Sequence, residues 1–455
     1  MANFVDFYLN EKILKLLTEI GFETPTEIQE LAIPKVLEGL DLIASAQTGT
    51  GKTAAFMLPA LHFLADPSIK VGAPRILVLV PTRELAMQVA DETKKFSRYL
   101  PHIKTVCIYG GVPYPIQKRS LSRPYDILVA TPGRLIDHME QGRIDLSRIG
   151  MLVLDEADRM LDMGFIEPVE HIAAATPKTR QTLLFSATID KKILPISRKL
   201  QKEPHEIRME KHHSAKANID QSLYFVDGME HKMLLLENLL ESEEIRQTII
   251  FTSTKNQANT LSRHLCDKGY QSASLHGDMN QSQRTRTIEK MRSGKIRSLV
   301  ATDVAARGID ITTLTHVINF DLPHNPEDFI HRTGRTGRAG ASGIAISFAR
   351  YSEECWVKKI NTLLGKPMEV KTIAGMEPKS RAKKKEGPAF YEKKSSHKAP
   401  TRKAKAPFRD QKNGFWNRTK PKSGPKILLN SPKPAKKKRP VVDRETHSFK
   451  KFFAS

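Results

Sequence analysis

From Asp41 to about Phe185, short apolar runs rich in β-branched residues alternate with longer stretches whose apolar residues return every three or four positions. The runs are DLIASA, RILVLVP, TVCIYG, DILVAT, MLVLDE and TLLFSAT, and TRELAMQVADETKKFSRYL is typical of what separates them. Near-continuous apolar runs suit strands buried on both faces, and the helical stretches supply the cover. The pattern predicts βαβ units around a parallel sheet. It lapses through EPHEIRMEKHHSAKAN, Glu203 to Asn218, then resumes with SLYFV, TIIFTS, SASLHG, RSLVAT, HVINFDL and GIAISFA. Two tandem α/β domains are expected, at 1–205 and 219–374, joined by a polar linker at 206–218. The periodicity stops after about Ala374. Residues 375–455 hold too few apolar groups to offset the entropy of ordering, so a disordered tail is expected there.

Charge sharpens this division. Of the formal +23, the segment from Glu377 onward carries +19, with 25 Lys/Arg against 6 Asp/Glu. A nearly neutral body therefore precedes a polycation, which suits a polyanionic partner. Aromatics are interleaved with the tail's cations at Phe390, Tyr391, Phe408, Phe415, Trp416, Phe449, Phe452 and Phe453. Cations plus stacking rings favour unspecific RNA binding. No apolar run reaches the ~18 residues of a membrane span, and MANFVDFYLNEKI lacks the pattern of a signal peptide. Cys107, Cys266 and Cys355 are too far apart in sequence for a compact metal knuckle and read as reduced, buried thiols. A cytoplasmic protein without a membrane partner is expected.

The chemistry concentrates at strand ends. ASAQTGTGKT, Ala44 to Thr53, stands between an apolar strand and a helical stretch and reads as a P-loop, with Ala46 in place of the usual first glycine. Gly49, Thr50 and Gly51 let backbone N–H groups wrap phosphate oxygens, Lys52 would reach the β- and γ-phosphates, and Thr53 would hold Mg²⁺. About a hundred positions on, MLVLDEADRM ends a strand with acids. Asp155 sits where a P-loop protein needs a carboxylate for Mg²⁺, and Glu156 where it would orient and deprotonate the attacking water.

Asp155 to Asp158 spell DEAD, and the chain resembles the DEAD-box ATP-dependent RNA helicases over about residues 4–350. ASAQTGTGKTAA, DEADRMLDMGF, QTLLFSAT and VATDVAARGID are most similar to bacterial members of the SrmB and RhlE types. The resemblance implies two RecA-like domains. It assigns GFETPTEIQ, Gly21 to Gln29, to adenine reading, with Gln29 pairing N6 and N7 and Phe4, 17 positions before Gly21, packing on the base. It implies that Ser186 and Thr188 of SAT couple the ATP state to strand separation, and that Asp310 sits near the ribose.

PTREL, Gly110-Gly111 and TPGR each follow a predicted strand and so share one edge of the first sheet, the carboxyl edge where such sheets bind ligands. Hydroxyls, an open Gly-Gly backbone and single arginines suit sugar-phosphate contacts and not base reading. The resemblance implies RNA contacts at Thr82, Arg83, Gly111, Thr131 and Arg134, matched in the second domain by Arg284 of QSQR and Thr302. Little sequence preference and strong salt dependence follow.

HRTGRTGR, His331 to Arg338, brings three arginines together 283 positions after Lys52. Arginines without a local anion are costly to bury, and the γ-phosphate at the P-loop is the anion they suit. By resemblance Arg335 and Arg338 are the fingers, while His331 and Arg332 brace the motif. Thr333 replaces an apolar residue common in the family. The implied function is RNA-stimulated ATP hydrolysis with local unwinding of RNA duplexes, in ribosome assembly or RNA metabolism. Single-stranded and duplex RNA, ribosomal RNA and pre-ribosomal particles are the implied partners. The alternative is an ATP-gated RNA-binding scaffold or annealing chaperone. A DNA helicase is disfavoured by the family motifs.

Overall fold

All twelve apolar runs form strands. The computed structural model describes residues 3–46, 49–66, 73–187, 189, 193–209, 219–242, 244–306, 309, 311, 313–337 and 342–379. In the first half, β1 is Leu42–Ser45, β2 Ile76–Leu79, β3 Thr105–Ile108, β4 Ile127–Ala130, β5 Met151–Leu154, β6 Gln181–Ser186 and β7 His205–Arg208. In the second, β8 is Ile219–Phe225, β9 Thr248–Phe251, β10 Ser272–Leu275, β11 Ser298–Ala301, β12 His316–Asn319, β13 Gly343–Ala349 and β14 Glu369–Val370.

Each half is one parallel sheet of seven strands. The orders are β3-β4-β2-β5-β6-β1-β7 and β10-β11-β9-β12-β13-β8-β14. Counted from the first strand of each half, these are the same order, that of a doubly wound sheet. The continuous apolar runs are explained by the cover on both faces. Ile76 and Val78 of β2 pack into one core layer, Leu77 and Leu79 into the other. In β9, Ile250 likewise faces one layer while Ile249 and Phe251 face its opposite. Ile→Ala at such central positions typically costs ~2–5 kcal/mol.

The seventh strands depart from expectation. His205–Arg208 runs into the segment read as a linker and pairs with β1, His205 opposite Leu42 and Ile207 opposite Ala44. Only Ile207 of the four is buried. An edge strand held by a single apolar side chain carries almost no hydrophobic signal, so its polar sequence looked like a connection. Residues 210–218 of the expected linker, and the tail from 380 with all its aromatics, lie outside the described residues. Among the described residues no helix is long and apolar enough to cross a membrane.

Candidate nucleotide site and nucleic-acid cleft

The P-loop joins β1 to the helix Lys52–Leu64, whose amino end faces the loop. Gly49 and Gly51 have φ of +87° and +91°, a region only glycine adopts without strain. A Cβ on Gly51 would also overlap the Gln29 amide. Lys52 is buried, and its ammonium lies 3.7 Å from Asp155 Oδ1, too far for a hydrogen bond. It has no hydrogen-bond partner among the described residues. A desolvated cation without a hydrogen-bond partner is suited to receive an anion.

Asp155 ends β5 under full burial, which pushes its carboxyl above the usual range against the pull of Lys52 and the Glu156 N–H. Glu156 turns the chain at φ +53°, ψ +50° and starts the helix Ala157–Asp162. A non-glycine residue held there costs on the order of 1–3 kcal/mol and persists where the fold over-determines it. Burial also raises Asp158, whose Oδ2 accepts from the Ala187 N–H at 3.1 Å. The SAT segment thus meets the DEAD segment through a backbone amide. Ser186 itself is buried at the end of β6, and Thr188 lies outside the described residues.

Gln29 and Phe4 both have internal partners in the structure. Gln29 Oε1 accepts from the Thr26 N–H at 2.9 Å, and Nε2 donates to the Gly51 carbonyl at 3.1 Å. Thr26 Oγ1 adds a bond to the Thr50 carbonyl at 2.8 Å. The amide expected to read adenine is here engaged in bracing the P-loop. Phe4 is core, with Phe22 stacked on it at 6.5 Å and more exposed. Hydrophobic burial wins over exposure for the ring nearer the interior.

In the second half, Arg332 forks onto Asp303 at 2.6 and 2.7 Å and donates to Asn319 Oδ1 and the Asp321 carbonyl. Arg335 is buried, donating to the carbonyls of Ile309 and His331. Thr333 sits in the core by returning its hydroxyl to the Phe329 carbonyl one turn back. Arg338 and Asp310 lie outside the described residues. Arg335 and His331 line a water-sized cavity together with Arg159, three residues after Glu156. The arginine motif therefore faces the DEAD helix.

A cleft of about 470 Å³ opens at the carboxyl ends of β2, β3 and β4, three neighbouring strands. Thr82, Arg83, Gly111, Thr131 and Arg134 all line it, with Gly277, Arg284 and Val304 from the second half. Gly111 has φ +84°, and a Cβ there would overlap the Arg83 guanidinium. The Gly-Gly turn thus makes room for Arg83 as well as opening its backbone. Thr82 Oγ1 caps the helix Arg83–Phe96 through the Leu85 N–H. Arg134 donates to the Val112 carbonyl and lies 4.1 Å over the Tyr114 ring. Thr302 ends β11, half-buried, two residues before Val304.

Arg284 has an internal partner in the structure. Expected on phosphates, it is buried and bound to Glu84 Oε1 at 2.8 Å and to the Ala305 carbonyl. Glu84 lies in PTREL of the first half, so this ion pair joins the two halves at the cleft. A buried guanidinium needs a carboxylate, and Glu84 supplies one from inside the protein.

The DEAD/DEAH box helicase model matches residues 26–196, and the helicase conserved C-terminal domain matches 231–340. A Haemophilus influenzae protein named ATP-dependent RNA helicase SrmB is 43% identical over 386 residues, covering 84% of this chain and 88% of that protein. The chain belongs to the DEAD/DEAH box helicases. Escherichia coli DeaD, also named an ATP-dependent RNA helicase, is 46% identical over 359 residues, which are 79% of this chain and 56% of DeaD. Saccharomyces cerevisiae Dbp5 bound to RNA and ADP BeF3 superposes with a TM-score of 0.74 at 32% identity, covering 82% of this chain and 96% of that one.

Membership makes the chain an ATP-dependent helicase. Sequence reasoning passed over several side chains that shape the helicase site. Thr26 braces the loop, Ala187 carries the contact from SAT to DEAD, Tyr114 backs Arg134, and Glu84 holds Arg284. All four had a local signal: Thr26 lies in GFETPTEIQ, Ala187 in SAT, Glu84 in PTREL, and Tyr114 three residues after Gly111.

Proposed function

We propose that this chain is an RNA helicase whose RNA-stimulated ATP hydrolysis opens short duplexes, with the two halves of its active site held by its two sheets. The buried Lys52 ammonium, without a hydrogen-bond partner and 3.7 Å from Asp155, carries this reading. ATP phosphates at Gly49, Thr50 and Gly51 would meet Lys52, and Thr53 and Asp155 would hold Mg²⁺. The buried carboxylate beside an unsatisfied lysine fits a metal–phosphate pair. Mg²⁺ there supplies charge neutralisation for the phosphates. Glu156 orients the attacking water and takes its proton. Arg335 and Arg338 stabilise charge on the transferring phosphoryl group. Gln29 exchanges its bonds to the loop for bonds to adenine, and Phe4 supports the base through Phe22. Asp310 lies near the ribose. Ser186 and Thr188 relay the nucleotide state.

Thr82, Arg83, Gly111, Thr131, Arg134 and Thr302 contact the RNA backbone, and Arg284 acts there by holding the halves together. The +19 carried from Glu377 onward suits structured, phosphate-dense RNA such as ribosomal RNA, so ribosome assembly in the cytoplasm is the setting we favour. RNA cross-linking in cells checks this, and footprints confined to messenger RNA would rule it out. Glu156→Gln tests the mechanism. Turnover should fall ~10²–10⁴-fold, the range of general acid–base contributions, and ATP-driven strand separation should go with it. Full unwinding by that variant would leave an ATP-gated scaffold or annealing chaperone in its place.

A further inference from the structure

The helix that follows the DEAD carboxylates and the helix that leads into the arginine motif meet through an ion pair. Arg159 Nη1, on Ala157–Asp162, stands 2.6 Å from Asp328 Oδ1 on Pro326–Thr333. The Arg159 side chain is 2% exposed and that of Asp328 15%. Arg159 also reaches Asp162 Oδ2 within its own half, at 3.1 Å. Its Nη2 is buried without a hydrogen-bond partner among the described residues. The cavity it borders, about 10 Å³, is shared with Asp303, Asp328, His331, Arg332 and Arg335.

Each partner is provided for when the halves are apart. Arg159 keeps Asp162, and Asp328 lies in the first turn of its helix, where the dipole favours a negative charge. Bringing the halves together desolvates both, and that cost is recovered only if guanidinium and carboxylate meet in register. A closure that is out by an ångström or two leaves a buried charge unpaired and is disfavoured. The pair therefore selects one closed geometry. Arg159 is one turn from Glu156, and Asp328 is seven residues before Arg335 on a continuous helix and turn.

We infer that Arg159 and Asp328 are positioning residues that set the register between Glu156 and Arg335 when ATP and RNA close the halves. The inference rests on the hydrolytic roles given above to those two residues. Neither Arg159 nor Asp328 acts on the reacting atoms.

The test uses the full chain carrying Asp328→Asn, Arg159→Ala, both together, and Asp328→Glu. Steady-state ATPase is measured with saturating RNA, ATP affinity without RNA, and thermal midpoint alongside. Asp328→Asn should lower RNA-stimulated kcat on the order of tenfold, with ATP affinity within twofold and the thermal midpoint unmoved. Asp328→Glu should recover most of the loss. The double variant should be no slower than the worse single one, since both remove the same interaction. Unchanged kcat in Asp328→Asn, or losses that multiply in the double variant, would overturn the inference. Should Arg159→Ala fail to fold, Asp328→Asn against Asp328→Glu decides alone. Glu156→Gln run in parallel separates the layers. If it turns over normally the hydrolytic reading falls, whereas if it is dead while the pair variants are normal, only the positioning role falls.

Discussion

The two halves share one strand order and put opposite chemistry on it. After β1 the first half turns through Gly49 and Gly51 into a helix whose amino end faces the loop. After β8, at the equivalent place, the second half runs through Asp227-Gly228 into Met229–Glu241, whose N-cap Gly228 offers no side-chain cap. After β5 come Asp155 and Glu156. After β12 comes Asp321, spent on Lys232 at 2.7 Å and on the Ser253 N–H. Where the first half gathers backbone donors and acids, the second gathers guanidiniums, Arg332 held by Asn319 of β12 and Arg284 by Glu84 of the first half. An open sheet thus fixes where a site lies, at its carboxyl edge, and leaves the loops to decide which charge it carries.

Moving charges out of this division should hurt most on the reacting side. Arg335→Ala is expected to lose ~10³–10⁵ in RNA-stimulated turnover, the usual worth of an arginine finger, with ATP affinity changed only modestly; wild-type turnover would remove the second half from the chemistry. Next comes Lys52→Ala, at about 10²–10³ in kcat/KM, the cost of one preorganised electrostatic donor. It should also weaken ATP binding, and a calorimetric titration showing unchanged affinity would mean that the buried ammonium faces no phosphate. Gly111→Ala forces a Cβ onto Arg83 in a left-handed turn. RNA affinity should fall about tenfold, with one fewer phosphate contact in the salt dependence of binding, while ATP affinity without RNA is retained.

The smallest effect separates the halves by their thiols. Burial pushes the first half's Cys107 up to about 12, whereas Cys266 and Cys355 in the second, read from the sequence as buried, are exposed. A thiol needs to ionise to react, so at pH 8 the native protein should consume two equivalents of a disulfide reagent quickly and the third, at the half-buried Cys107, slowly. Fast reaction of all three would mean that the β3 edge opens readily.

The site motifs were legible because each is a short run whose residues act within a few positions of one another, as in Gly49 to Thr53. Strands buried on both faces were legible for the same reason. What stayed hidden depends on contacts distant in sequence. Nothing in the order of residues ties Arg159 to Asp328, or Ala187 to Asp158. Gln29, Phe4 and Arg284 show a further limit. Each was assigned a ligand-facing task, and in the structure each also meets an internal need: a loop to brace, a core to fill, a carboxylate to pair.

The edges of the two sheets carry a consequence for life in a crowded cell. An outer strand is half of an unfinished ladder, able to recruit a strand from any passing chain. Here β7 presents the exposed side chains of His205, Glu206 and Arg208, and β14 is only two residues long. On the far side of the second sheet, β10 opens with Ser272, Ala273 and Ser274, small side chains that offer little to stack against. The polarity that hid β7 among linker residues is what makes it a poor template for aggregation. Replacing Glu206 and Arg208 by valine would give the strand the apolar run that sequence reasoning looks for, and a sheet edge that sticks.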